Sequence, residues 1–205
     1  LSTDNRRGGR LGRGSQSRRE PEETLMNPFF VEQMAMYSAY HRDPRNRATH
    51  FIGIPSIVFA IFIPLHWVTV AELWGGETVI TLATVLWFIT GAFYLWLDRT
   101  IGGLMMLVAF VLMQIAAWVA QQGSLIGWST FAILFVGGWI FQLVGHVFEG
   151  RRPALADNLL QALIGPCFLI AETVFAAGLK TELHDAVEAR WKHYTVAAMQ
   201  ARAAH

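Results

Sequence analysis

Charge is scarce in this chain, and the scarcity is local. Only 15% of its 205 residues are Asp, Glu, Lys or Arg, against about 25% in an average soluble domain. The stretches 51–71, 79–97, 101–120 and 128–148 contain none, and 159–179 contains only Glu172. Without polar faces these segments cannot clothe a water-soluble helical core. Each is long enough to cross roughly 30 Å of hydrocarbon. None alternates with period two, which favours helices over barrel strands. A single cysteine, Cys167, excludes an internal disulfide framework and a multi-cysteine zinc or iron–sulfur site within one chain. A net charge of +1 leaves no global basic field, so nucleic acid is not an expected partner. No apolar run precedes Phe51, and no signal peptide is expected.

What is present reads as an all-α, polytopic membrane helix bundle with four to five apolar segments and flanking amphipathic helices. Residues 1–26 form a Gly/Ser-rich tail carrying Arg6, Arg7, Arg10, Arg13, Arg18 and Arg19, and are expected to be disordered. The tail suits contact with anionic membrane lipids, or else has no role, Met26 resembling a natural start. Residues 27–180 form the bundle, and 181–205 a C-terminal amphipathic helix.

Asn27-Pro28 reads as an N-cap followed by proline at the first helical position. The helix it opens should run to about His41, with Phe30, Met34, Tyr37 and His41 on one face. Asp43-Pro44 ends it. A second helix should begin near Asn46 and carry His50 on the same side. Pro55 and Pro64 are expected to kink or break it. Residues 72–77 read as a short loop, and Asp98-Arg99-Thr100 as a tight hairpin between helices. Gly102-Gly103 and Gly137-Gly138 suit close helix packing. Leu183, Val187, Trp191, Tyr194 and Ala198 line the apolar face of the last helix.

The arginines orient the bundle. Arg42, Arg45 and Arg47 precede the first span, Arg99 follows the second, and Arg151 and Arg152 follow the fourth. The positive-inside rule makes these ends cytoplasmic. His41, His50 and His146 then share one membrane depth, and a common site is geometrically open to them. Five crossings conflict with a C-terminal segment carrying Lys180, Arg190, Lys192 and Arg202, so the first or fifth segment is a candidate re-entrant element.

Imidazole beside a bilayer is costly unless paired, hydrated or metal-bound. Gln142, His146 and Glu149 fall on one helical face, a spacing also found in carboxylate-bridged metal helices. Glu172 sits mid-segment and should pair with a cation, face a polar cavity or stay protonated; a metal ligand and a hydrogen-bonded neutral acid are both open readings. Asp157 and Asn158 suit capping of the fifth helix. His66 reads as a packing histidine. His184, His193 and His205 read as solvated.

Two ordered blocks carry a resemblance. The first is Tyr40-His41, Asn46, His50 and Gly53-Ile54-Pro55. The second is Gly138-Trp139-Ile140-Phe141-Gln142, Gly145-His146, Glu149, Arg152-Pro153-Ala154-Leu155, Asp157-Asn158 and Gln161. Over residues 33–180 the chain resembles the small membrane family of the fungal endoplasmic-reticulum dioxygenase that shortens 2-hydroxy fatty acids during phytosphingosine breakdown. The resemblance implies an Fe(II)-dependent α-oxidation by O2 that needs no 2-oxoglutarate and yields the fatty acid one carbon shorter. It maps the essential metal-binding histidines onto His41, His50 and His146. Glu149 and Glu172 are candidate further ligands, with an ion pair from Glu149 to Arg152 as the plainer role. Arg151, Arg152 and Asn46 are candidate substrate contacts, the arginines for the carboxylate. Two other classes stay open: a membrane scaffold or small transporter with Glu172 lining its path, and a zinc-dependent lipid hydrolase. Either membrane setting, bacterial inner or endoplasmic reticulum, places the site toward the cytoplasm. A homo-oligomer is compatible with all of this.

Overall fold

The computed structural model describes residues 26–153 and 158–195. The basic tail up to residue 25, residues 154–157 and the last ten residues lie outside that description, and so do Asp157, Ala198, Arg202 and His205.

Helix α1 spans Pro28–Ala39 and opens as the sequence expects: Asn27 Oδ1 accepts the amides of Phe29 and Phe30. The turn Tyr40–Asp43 follows. Asp43 then caps helix α2, Pro44–Leu65, by accepting the Arg45 amide at 2.8 Å. The helix runs unbroken through Pro55, and Pro64 falls one residue before its end. The expected break is absent because the missing proline donors fall within a helix held along its length by a neighbour.

The expected loop at 72–77 is instead the end of a β-hairpin. Strands β1 (Thr69–Leu73) and β2 (Thr78–Thr81) pair antiparallel, from Thr69 opposite Thr81 to Leu73 opposite Thr78. Between them Gly75 and Gly76 adopt φ of 70° and 98°, which glycine adopts without steric cost. The hairpin takes the start of the apolar stretch 79–97. Helix α3, Leu82–Leu97, is thereby only 16 residues long, or about 24 Å. Asp98 caps helix α4, Arg99–Gln121, through the amides of Thr100 and Ile101. Helix α5 spans Ser124–Glu149 and ends on left-handed Gly150. Helix α6 spans Gln161–Ala176, and α7 spans Thr181–Arg190 with a 3₁₀ turn at Trp191–Tyr194.

Three helices, α2, α4 and α5, are long and apolar enough to cross a membrane; α6 together with the segment after it also qualifies, but bends by 120°. Exposed Ile52 on α2, Phe88 and Ile89 on α3, Leu107 on α4, and Ile133, Val136 and Val147 on α5 give the bundle an apolar outer surface, as a lipid-facing bundle requires. Helix α2 packs along α5, with a crossing at Gly53 and Gly138. A Cβ on Gly53 would stand 2.8 Å from the Gly138 carbonyl oxygen, so only glycine permits this approach. Gly102 likewise lies against the Tyr94 backbone, whereas Gly103 and Gly137 face open space.

Candidate metal centre

Three elements bring three imidazoles together. His41 lies in the turn after α1, His50 on the second turn of α2, and His146 on the last turn of α5. One ring nitrogen from each lies within 4.8 Å of the other two. The ring planes stand at 74°, 68° and 86° to one another, edges turned toward a common centre rather than stacked. All three residues are buried.

The hydrogen bonds decide the tautomers. His41 Nδ1 lies 2.7 Å from the Tyr37 carbonyl oxygen, and His50 Nδ1 lies 2.9 Å from that of Asn46. A carbonyl only accepts, so both Nδ1 atoms carry hydrogen. The two Nε2 atoms then hold lone pairs, and they face each other at 3.0 Å. Two lone pairs at that distance repel. Nearby, His146 Nδ1 is buried with no hydrogen-bond partner. A cation shared by these nitrogens resolves both anomalies, and carbonyl-anchored imidazoles are a usual setting for metal ligands. Burial, then the neighbouring His50, pushes the His41 pKa well below its ordinary value, keeping the ring neutral and its lone pair available.

The surrounding shell fixes the turn that carries His41. Glu149 accepts the backbone amides of Arg42 at 3.0 Å and Asp43 at 2.8 Å, and Asn46 Nδ2 at 3.0 Å. Arg47 donates to the His41 carbonyl at 2.8 Å and pairs with Glu172 at 2.7 Å. Arg42 reaches Glu188 at 2.7 Å and covers the Trp191 ring. Tyr37 stacks on the His41 ring at 4.0 Å, nearly parallel.

The sequence-derived candidates therefore separate. His41, His50 and His146 converge. Glu149 and Glu172 are engaged as described, one on the turn's backbone and one by Arg47, and neither joins the cluster found among the described residues. Asn46 Nδ2 also donates to the Tyr40 carbonyl at 3.1 Å. Arg151 lies over the Tyr40 ring at 3.4 Å and donates to the carbonyls of Ala39 and Tyr194. Neither arginine nor Asn46 lines the cavity described next. His66 bridges to the Met113 carbonyl at 3.0 Å, a packing role.

A cavity of about 400 Å³ opens from the histidines into the bundle, within the size range of small-molecule sites. Its polar lining includes His41, His50 and His146 at one end, with Gln142 and Gln161 also among the lining residues. Its remaining walls are mostly apolar: Ile54, Ile57, Val58, Ile61 and Phe62 from α2, Leu86 from α3, Met105 and Ala109 from α4, Phe135 and Trp139 from α5, with the hydroxyl-bearing Tyr37, Thr90 and Tyr94 among them. The sequence assigns nothing to Gln33, and it singles out Gln142 only for sharing a helical face with His146 and Glu149 and, with Gln161, as part of the resembling block. Polar amides inside or at the mouth of apolar segments were the available signal.

A membrane-type helix bundle with a buried three-histidine centre at the head of an apolar cavity defines a candidate metal-dependent protein with a lipid-shaped site. The chain matches the family model described as "Mpo1-like: 2-hydroxy-palmitic acid dioxygenase Mpo1-like" over residues 28–177, and it belongs to that family. It is 35% identical over 158 residues to the 2-hydroxy-palmitic acid dioxygenase MPO1 of Saccharomyces cerevisiae, an alignment covering 76% of this chain and 86% of the relative. No solved structure matches it.

Proposed function

We propose that the protein is an Fe(II)-dependent dioxygenase that converts a 2-hydroxy fatty acid to the fatty acid one carbon shorter. The observation that carries this reading is the pair of carbonyl-anchored imidazoles whose lone pairs meet at 3.0 Å at the head of an apolar cavity. His41, His50 and His146 would hold the metal. Three neutral imidazoles without a bound carboxylate suit a divalent first-row ion with positions left for other ligands. Bound iron would supply the activation of O2 and the polarisation of the hydroxy acid.

The chain's own residues supply the rest. The apolar walls take the alkyl chain and exclude water from the reacting end. Carbonyl bonds from Tyr37 and Asn46 hold two imidazoles in one tautomer. Cleavage of the C1–C2 bond balances with one O2 consumed and the shorter acid, carbon dioxide and water formed, so no further reductant or 2-oxo acid is needed.

The same reading gives a topology. Helices α2 to α5 cross the membrane, and α1, α6 and α7 lie across their cytoplasmic end, over the site. Three ties along the α6 segment support this. Tyr94 donates to the Leu163 carbonyl at 3.0 Å, Arg47 pairs with Glu172, and Lys180 pairs with Asp98 at 2.8 Å. All three partners of α6 sit at the ends of α2 and α3 nearest the histidines. The basic C-terminal segment then stays on the arginine-rich side.

The test is metal analysis of the detergent-purified chain, beside a His146→Ala variant, followed by oxygen uptake on 2-hydroxy acids. About one iron per chain, lost in the variant, with substrate-dependent oxygen uptake, is expected. Bound zinc without oxygen uptake would move the reading to hydrolysis. No metal after anaerobic Fe(II) loading would refute it.

A further inference from the structure

We propose that the substrate's carboxylate is held by two uncharged donors, the Tyr37 hydroxyl and the Gln142 side-chain amide, an inference that rests on the functional reading above. A carboxylate buried in an apolar cavity is costly unless donors meet it. No Lys or Arg side chain lines this cavity, so the donors must be neutral.

The polar lining narrows the choice. With the three imidazoles given to the metal, Tyr37, Thr90, Tyr94, Trp139, Gln142 and Gln161 remain. Thr90 spends its hydroxyl hydrogen on the Leu86 carbonyl at 2.8 Å, and Tyr94 spends its own on the Leu163 carbonyl at 3.0 Å. Gln161, 1% exposed, turns its Nε2 to Gln33 at 2.7 Å. The Trp139 indole stands two turns down α5 from His146, about 10 Å along the helix axis. Tyr37 and Gln142 each precede a histidine by one turn, His41 and His146 respectively. Both are more than nine-tenths buried, at 5% and 8% exposed. Yet neither the Tyr37 oxygen nor the Gln142 amide is sealed, and neither has a hydrogen-bond partner among the described residues. Buried polar side chains are rarely left so, and in a cavity wall such a group is a candidate contact for a ligand.

Geometry places both groups beside the histidines. The Tyr37 ring stacks on His41 with centroids 4.0 Å apart and lies against Phe168 at 4.7 Å. A phenol oxygen is about 2.8 Å from its ring centre, so this one falls within roughly 7 Å of the His41 ring centre. It sits at the cavity wall: a Cβ on Gly165 would stand 3.0 Å from it and 3.2 Å from Ile54 Cδ1, and Gly165 and Ile54 both line the cavity. The Gln142 stem lies where α2 and α5 cross, its Cγ 3.3 Å from the place of a Cβ on Gly53. A phenol donates one hydrogen and a primary amide two. No protein bond fixes which way the Gln142 amide turns, so its nitrogen is available to the acid.

The test is equilibrium binding of 2-hydroxypalmitate, palmitate and 2-hexadecanol to the detergent-purified, metal-loaded chain under anaerobic conditions, where no turnover occurs. Palmitate keeps the carboxylate and lacks the hydroxyl; 2-hexadecanol keeps the hydroxyl and carries a methyl group in place of the carboxylate. Tyr37→Phe and Gln142→Leu are each expected to weaken both acids by about tenfold, the size of a hydrogen bond to a charged group. The alcohol should change by less than about twofold, as no charged group is then lost, and metal content should stay at the wild-type level. A loss shared equally by 2-hexadecanol, a loss confined to 2-hydroxypalmitate, or unchanged binding of the acids overturns the inference. Tyr37→Phe keeps both ring contacts, so it decides the matter if Gln142→Leu does not fold. Failure of the functional reading looks different: the wild type then binds none of the three, and the inference falls with it.

Discussion

Glu149 offers the sharpest separation between holding a metal and holding the turn that holds it. Its two carboxylate oxygens receive three donors: the amides of Arg42 and Asp43 and the Nδ2 of Asn46, at 2.8–3.0 Å. The turn they fix carries His41. Hydrogen bonds to an ionised acceptor contribute about 1.5–3 kcal/mol each when buried. Glu149 is only half-buried, so the three together are worth about 2–4 kcal/mol rather than the full sum. Glu149→Ala is expected to lose that amount. Glu149→Gln keeps the shape but turns one oxygen into a donor facing another donor, and is expected to lose about 1–2 kcal/mol. Both variants should bind metal more weakly, because His41 is no longer prepositioned, yet should keep the same ligand set. The assay is a titration with Co(II) as a spectroscopic stand-in, read beside thermal melting. An unchanged absorption band with weaker affinity and a lower melting temperature is expected. A changed band would mean that Glu149 is itself a ligand. Wild-type affinity and melting in Glu149→Gln would refute the clamp altogether.

Four other expectations follow from particular contacts. Asp43 caps α2, and its carboxyl pKa is held down from 3.8 to about 2, chiefly by the Arg45 side-chain hydrogen bond. A depressed carboxyl stabilises the fold above its unfolded pKa and loses that effect as pH falls through the folded value; the difference in melting temperature between wild type and Asp43→Asn should hold above pH 4 and vanish toward pH 2. A Cβ on Gly145 would collide with Thr49 Oγ1 and Asn46 Oδ1, so Gly145→Ala should cost about 1–3 kcal/mol and weaken metal retention, whereas Gly103→Ala, in open space, should be neutral or stabilising by up to about 1 kcal/mol in the same melt. Arg47→Met strands the half-buried Glu172 carboxylate and should destabilise more than the double variant Arg47→Met/Glu172→Met; equal losses in denaturation would contradict the pairing. Ala109→Trp fills the apolar part of the cavity and should shift substrate preference to shorter acids in a competition assay, with metal content unchanged.

The sequence revealed the charge-free segments, the caps Asn27 and the break at Asp43-Pro44, and the convergence of His41, His50 and His146, because each rests on a local pattern or on loop charge. It did not reveal the hairpin at 69–81. Thr69, Val70, Thr78, Val79 and Thr81 are β-branched, but they sit inside runs whose apolarity reads equally as helix. Pro55 misled for a related reason. A proline's missing hydrogen bond breaks a helix in isolation, and α2 is not isolated but packed on α5 through Gly53 and Gly138. Glu149 and Glu172 illustrate a different limit. Helical spacing placed Glu149 beside His146, yet the turn from Tyr40 to Asp43 folds over α5 and takes the carboxylate for its own amides. Such long-range partners leave no periodic trace. The amide chain from Asn158 through Gln33 to Gln161 is of the same kind, joining residues more than a hundred positions apart.

The dimensions of the cavity connect the site to its setting. On α2 the lining runs from His50 to Phe62, which at about 1.5 Å per residue is roughly 18 Å. On α5 it runs from His146 back to Phe135, nearly the same length. An extended alkyl chain advances about 1.25 Å per carbon, from a tetrahedral zigzag of C–C bonds near 1.5 Å, so this path accommodates a chain of about fourteen or fifteen carbons. The two helices that carry two of the histidines are thus also the walls that would receive the tail under the proposed function, and each is long and apolar enough to cross a membrane. A water-soluble protein would have to build such a tunnel at the expense of its core, whereas here the apolar lining and the apolar exterior are both supplied by the same lipid-compatible helices. His50 and His146 then fall at the helix ends and His41 in the turn beside them, where imidazole is least costly. On the proposed function, a head group bound there would keep its tail within the bundle, between helices long enough to cross a membrane.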